Sequence, residues 1–341
     1  MLINFLFNSN KMFFYFILFF STMISISSNS WLGCWIGLEI NLLSFIPLIS
    51  NSNNLLSSEA SLKYFLTQSI ASLNFLFIII MMMMFLKNFN SNIFYNSILN
   101  LPLLMKMGAA PFHFWFPNII EGLSWMNCFI IFTWQKISPM ILISYFYNMK
   151  FLFFIMILNS VIGALGGLNQ LSLRKILTFS SINNMGWMLI AIMISENIWL
   201  MYFSIYMFLN MNLCIMFYLF NIFYFNQLFF INMKNIIKIC IFINFLSLGG
   251  LPPFLGFFIK WILINFLIFN NMFILSFIFI MMSLITLFFY IRIVYSSLMF
   301  NYIKMKWFKF KMKNYYFIYI FSMSMISIMG LPLSTFYLYF F

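Results

Sequence analysis

Glu39, Lys106, Lys136 and Lys260 are ionisable residues set inside long apolar runs of a chain that is 65% hydrophobic and 6% charged. An ionisable side chain at membrane depth costs roughly 2.5–3.5 kcal/mol on insertion scales. Such residues therefore face a protein interior or a wet cavity, and they mark ion or proton paths. A lysine taken out of water loses proton affinity, and a neighbouring carboxylate restores it. A lysine that gains or loses such a partner is a switch, and a glutamate with three lysines is the composition of a proton relay. The bland alternative is a static Lys–Glu bridge between helices.

The surroundings of each residue add detail. Glu39 lies mid-span, on a different face from Gly33, Gly37, Asn41 and Ser44, a small and polar stripe suited to close helix packing. Lys106 is deep in its span, just before Gly108-Ala109-Ala110-Pro111, and Lys136 sits in Thr133-Trp134-Gln135-Lys136-Ile137-Ser138-Pro139. Lys260 follows Gly249-Gly250-Leu251-Pro252-Pro253, with snorkelling to an interface as the alternative. Secondary candidates are Lys63, His113 and Lys175. Lys63, like Arg292, reads as an interfacial anchor. His113 is the one imidazole, beside Pro111, and either titrates or caps the break there. Lys175 opens the stretch Ser172–Asn184, whose hydroxyls and amides either hold water or bridge helices.

The elements that carry these residues follow from hydropathy. With 341 residues and mean hydropathy +1.05, the chain reads as an all-α, polytopic transmembrane helical bundle. Apolar runs give about eleven spans, near 12–29, 31–50, 60–86, 93–112, 119–148, 151–170, 174–195, 197–226, 235–263, 272–299 and 315–340. Pro139 interrupts the long segment 119–148, which reads as one kinked helix or a helix plus a half-helix. Lys11, Arg174, Lys175, Lys234, Lys238 and the run Lys304, Lys306, Lys309, Lys311 and Lys313 fall on one side. Only Lys87 and Lys150 fall on the other. The positive-inside rule puts the first side, with the N-terminus, on the inner face and the C-terminus outside.

Composition also excludes. The net charge of +13 is scattered along apolar segments, so no basic domain exists to hold nucleic acid. Four cysteines (Cys34, Cys128, Cys214, Cys240), widely spaced, with a single histidine rule out structural zinc and Cys-ligated iron–sulfur clusters. The N-terminus lacks the look of a transit peptide. With 52 Phe, 30 Met and only two arginines, the residue usage is that of a very AT-rich coding sequence, for which an organelle genome is a natural source.

Two segments break the helical pattern alike: Met105–Trp115 and Leu248–Phe254. Proline removes a backbone donor and glycine weakens a helix, so inside a membrane such breaks survive only buried in protein or lining a cavity. They fall in the fourth and ninth spans. Paired interruptions at corresponding positions predict inverted repeats with a midplane ion site. The expected organisation is a five-span repeat over 1–148, a second over 151–299, and a terminal helix over 315–341.

Several stretches together resemble a known family: Ser30-Trp31-Leu32-Gly33 through Glu39-Ile40-Asn41-Leu42-Leu43, Glu59-Ala60-Ser61-Leu62-Lys63-Tyr64-Phe65, Lys106 to Trp115, Thr133-Trp134-Gln135-Lys136, Gly166-Gly167-Leu168-Asn169-Gln170 and Ser247 to Phe254. They are similar to the antiporter-like, proton-pumping subunits in the membrane arm of mitochondrial respiratory complex I, and the residue usage looks insect-like. The resemblance covers nearly the whole chain, weakening in 75–100, 220–245 and 300–341. It implies that Glu39 pairs with Lys106 on a first broken helix, and that Lys136 and then Lys260, on a second, continue a polar axis. It implies an inner mitochondrial membrane location, with the N-terminus on the matrix side. Implied partners are neighbouring antiporter-like and small hydrophobic subunits, accessory subunits, and phospholipids such as cardiolipin. It further implies no cofactor in this chain, with NADH, FMN, iron–sulfur clusters and ubiquinone bound by other subunits. Two departures stand out. About eleven spans match an animal form that lacks the first three of fourteen helices, and Asn184 stands where relatives often carry histidine.

Overall fold

A computed structural model describes residues 9–51, 53–85, 92–230, 235–299, 314–330, 332–333 and 335. The expected loop lysines Lys87 and Lys234 and the run Lys304–Lys313 lie outside the described residues, as does most of 329–341. Among the described residues every regular element is a helix. This is what lipid demands, because a helix satisfies its backbone hydrogen bonds internally.

In chain order the helices are α1 (Ser9–Ser27), α2 (Trp31–Ile49), α3 (Leu55–Phe85), α4 (Asn92–Met107), α5 (Trp115–Ile120), α6 (Trp125–Phe132), α7 (Trp134–Tyr145) and α8 (Met149–Gly167). Then follow α9 (Leu173–Ile194), α10 (Glu196–Phe220), α11 (Gln227–Phe230), α12 (Asn235–Gly249), α13 (Leu255–Phe269), α14 (Phe273–Met299) and α15 (Asn314–Ile328). Eight segments among the described residues are long and apolar enough to cross a membrane: α1, α2, α3, α6–α7, α8, α9, α10 and α14. The other expected spans coincide with α4, with α12–α13 and with α15.

The chain divides into two compact units, Met1–Ile155 and Met156–Phe341, with the boundary inside α8. In the first, α2 packs on α1 and α3, α3 on α4 and α5, and α4 on α7. Its core holds an aromatic column, Phe45–Tyr64–Trp115–Phe116–Phe132, with successive ring centroids 5.2, 6.3, 5.4 and 6.0 Å apart. In the second, α12 packs on α10, α13, α14 and α15, and α9 on α10 and α13. Here the column is Phe217–Phe245–Tyr290–Phe289, at 5.8, 5.5 and 4.7 Å. Such offset and edge-on pairs add to plain area burial.

One expected interruption moves. Pro139 lies inside α7, and the discontinuity falls upstream at Thr133, whose φ is −119° and ψ −75°. Pro139 denies the Gln135 carbonyl, four residues back, its helical donor, and the discontinuity at Thr133 lies two residues further upstream. There the Lys136 amide bonds the Thr133 carbonyl in a tight 3₁₀ contact of 3.1 Å.

Candidate functional site

The first unit's break begins at Gly108, whose φ of +71° only glycine adopts cheaply. The Gly108 amide donates to the Met105 carbonyl at 3.2 Å and the Ala109 amide to the Leu104 carbonyl at 3.0 Å. That pair of bonds is a Schellman motif, which ends α4 one residue after Lys106. A helix end leaves carbonyls without intrahelical donors, and neutral side chains supply them here. The Trp115 indole donates to the Met105 carbonyl at 3.2 Å, and the Gln68 amide to the Lys106 carbonyl at 3.1 Å.

The Lys106 side chain, 7% exposed, is left to face a small polar cavity. Asn41, Gln68, Gln135 and Ser138 line it with Lys106, and it has room for about one water molecule. Gln135 donates to the Asn41 carbonyl oxygen at 3.0 Å, joining α7 to α2. The buried Ser138 hydroxyl has no partner. Glu39 is half-buried on α2 and close enough for its charge to act on Lys106. No ion pair closes between them among the described residues. Leu38, Asn41 and Leu42 line the cavity, and Glu39 is turned about 100° around the helix from Leu38. Its Oε2 is buried without a hydrogen bond. Lys136 is buried at 1% exposure, with its ammonium 5.5 Å from the Phe116 ring centroid.

The second unit's break repeats the motif. Gly250 has φ +84°. Its amide donates to the Ser247 carbonyl at 3.2 Å, and the Leu251 amide to the Leu246 carbonyl at 3.3 Å. The exposed carbonyls are met differently. Lys260, on the helix after the break and 6% exposed, donates Nζ to Gly249 at 2.9 Å and to Leu248 at 3.3 Å. A side chain on Gly250 would meet Lys260 Cδ at 3.0 Å, so the glycine also makes room for the lysine. The ammonium lies 6.0 Å from the Trp187 ring centroid. Lys260 therefore turns inward, and snorkelling does not describe it.

The other expected residues sit apart. Lys63 is exposed on α3 and pairs with Glu59 one turn earlier. His113 lies in the break between α4 and α5, its Nδ1 3.3 Å from the Pro111 carbonyl and its ring 4.2 Å from Phe114. Lys175 is half-buried in the first turn of α9, its carbonyl accepting from Thr178 Oγ1 at 2.6 Å. Ser180 and Ser181 are buried and donate within their own helix, to Leu177 at 2.9 Å and Thr178 at 2.7 Å. Arg292 donates to the Gln170 carbonyl at 3.4 Å.

Sequence reasoning missed several groups. Lys238, expected at an inner-face connection, is on α12 and only 3% exposed. Position near a helix start reads as interfacial, but neighbouring helices decide burial. Gln68 is a single amide in an apolar span whose facing is not written in its local sequence, Gln135 stands out only as a neighbour of Lys136, and Tyr202 and Tyr206 are lost among 17 tyrosines.

A family model described as the NADH:quinone oxidoreductase/Mrp antiporter transmembrane region matches residues 28–286. NADH-ubiquinone oxidoreductase chain 2 of Anopheles gambiae is 56% identical over 85% of this chain and 86% of its own length. The Aedes aegypti protein of that name is 53% identical over 96% and 97%. Among solved structures, a chain of respiratory complex I from Thermus thermophilus shares the fold with TM-score 0.82 at 19% identity, covering 94% of this chain and 78% of that one. The chain belongs to the NADH:quinone oxidoreductase/Mrp antiporter transmembrane family.

Proposed function

We propose that this chain is a core membrane-arm subunit of a proton-pumping NADH:ubiquinone oxidoreductase, a multi-pass protein of the mitochondrial inner membrane. It couples electron transfer elsewhere in the complex to proton translocation. The observation that carries this reading is a buried lysine at each of two matched helix breaks, beside a cavity of water size. Lys106, Lys136 and Lys260 are the groups that take up and release protons, and Glu39 sets the charge that Lys106 responds to. Approach of the Glu39 carboxylate stabilises the Lys106 ammonium, and its retreat releases the proton; each tenfold change in proton affinity is about 1.36 kcal/mol. The sequence is read as two five-span repeats of inverted type, over 1–148 and 151–299, with 315–341 as a terminal helix.

No redox cofactor binds this chain; NADH, FMN, iron–sulfur clusters and ubiquinone belong to other subunits. Its partners are neighbouring antiporter-like and small hydrophobic subunits, accessory subunits and cardiolipin. The N-terminus faces the matrix and the C-terminus the intermembrane side. The test is the proton-to-electron ratio of the assembled complex carrying Lys106→Ala or Lys136→Ala. It should fall, and an unchanged ratio in both would defeat the reading. Reconstituted alone, the chain should not exchange sodium for protons.

A further inference from the structure

Lys260 shares its cavity with Asn184, Tyr202 and Tyr206, and the space there also suits about one water molecule. The Tyr202 hydroxyl donates to Asn184 Oδ1 at 3.1 Å. Tyr202 and Tyr206 are one turn apart on α10, each 3% exposed, and Tyr290 of α14 is 1% exposed. The three hydroxyls lie near enough for a charge on one to be felt by the others. Tyr206 is also within hydrogen-bonding reach of Ser181. The Tyr290 hydroxyl makes no hydrogen bond of normal geometry, with Ser180 within its reach, and Asn183 Oδ1 and the Trp187 indole nitrogen are buried without a partner.

A buried polar atom with no protein partner costs about 1–3 kcal/mol unless water satisfies it. Lys260, Asn184, Tyr202 and Tyr206 offer a water its polar partners within a wall otherwise made by Leu209, Leu248, Gly256 and Ile259. Tyr290's ring packs against Phe245 and Phe289, which holds its hydroxyl on the side of Ser180.

We propose that Tyr202, Tyr206 and Tyr290, with Asn184, form a hydroxyl relay that exchanges the proton of Lys260 through a water in this cavity. As the Lys260 N–H bond breaks, the water oxygen gains that proton and passes one of its own to a phenol oxygen. The phenol in turn gives its own hydroxyl proton to a further water molecule, which carries it away as hydronium. Each relay oxygen accepts one proton and gives up one, so no phenolate persists and no electrons move. Tyr202, whose hydroxyl donates to Asn184 Oδ1, keeps its own proton and holds the water through its oxygen lone pairs, so the transferred proton passes through Tyr206 or Tyr290. This relay rests on Lys260 being a translocating group.

The experiment measures assembly, electron transfer and the proton-to-electron ratio of the whole complex for Tyr206→Phe, Tyr290→Phe and Lys260→Ala, with Tyr218→Phe as control. Each Phe keeps the ring and loses only the hydroxyl. The expected result is a ratio in Tyr206→Phe and Tyr290→Phe lowered to that of Lys260→Ala, with Tyr218→Phe unchanged. A packing defect would instead lower the amount of complex and leave its ratio intact, overturning the relay. A ratio lowered only in Lys260→Ala overturns the relay and leaves the proposed function standing. No effect in Lys260→Ala removes this centre from the pump altogether. Should the tyrosine variants fail to assemble, a map of the unaltered complex decides: a water touching Lys260 and Tyr206 is expected, and a dry cavity refutes the relay.

Discussion

Two helix breaks in one chain close with the same backbone motif and use their lysines in opposite ways. At Gly108 the freed carbonyls are served by neutral donors, Trp115 and Gln68, and the Lys106 ammonium stays available to the cavity and to Glu39. At Gly250 the ammonium of Lys260 itself serves the freed carbonyls of Leu248 and Gly249. The charge-assisted bonds of the second case are about twice as strong as neutral ones. A proton leaving Lys260 therefore weakens the support of its own helix break, whereas a proton leaving Lys106 does not. The first centre suits a group that answers a neighbouring charge; the second ties protonation to backbone geometry.

The sharpest way to break this comparison is to remove each lysine. Lys260→Leu strands two buried carbonyls at about 1–3 kcal/mol each, and the yield and thermal stability of the assembled complex should drop markedly. Lys106→Leu leaves both carbonyl donors in place, so assembly should persist and only proton translocation suffer. Equal losses of assembly in the two would erase the distinction. Next in size is Gly250→Ala, which forces a left-handed φ on alanine, about 1–2 kcal/mol, and crowds Lys260 Cδ at 3.0 Å. Thermal inactivation should come earlier, with coupling impaired as well. Gln68→Leu removes the donor to one carbonyl, that of Lys106, and should lower stability by about 1–3 kcal/mol. Trp115→Phe should cost least, about 1 kcal/mol in a thermal melt, because the Met105 carbonyl keeps the Gly108 amide as donor.

What could be read from sequence follows the same lines. Both breaks were visible because glycine and proline are the residue types that end helices. The depth of Lys106 and Lys136 was visible because charge inside an apolar run has few explanations, whereas for Lys260 snorkelling stood as the alternative. The partners of Lys260 were not, since backbone carbonyls belong to no residue type. Nor was the discontinuity at Thr133, which lies six residues before Pro139 and beyond the turn a proline disturbs. Asn41, Gln68 and Gln135 line the Lys106 cavity, and hydropathy marks such amides as polar without saying that three separate helices bring them together. The burial of Lys238 depends on helices distant in sequence, which no local pattern encodes.

The central claim is that Lys106 is a switch whose state follows Glu39. Maps of the assembled complex at rest and during turnover, sharp enough to place side chains and waters, test it directly. The account predicts two separations between the Glu39 carboxylate and the Lys106 ammonium, open as here in one state and closed to a hydrogen-bonded pair in the other. One fixed separation in both states would contradict it.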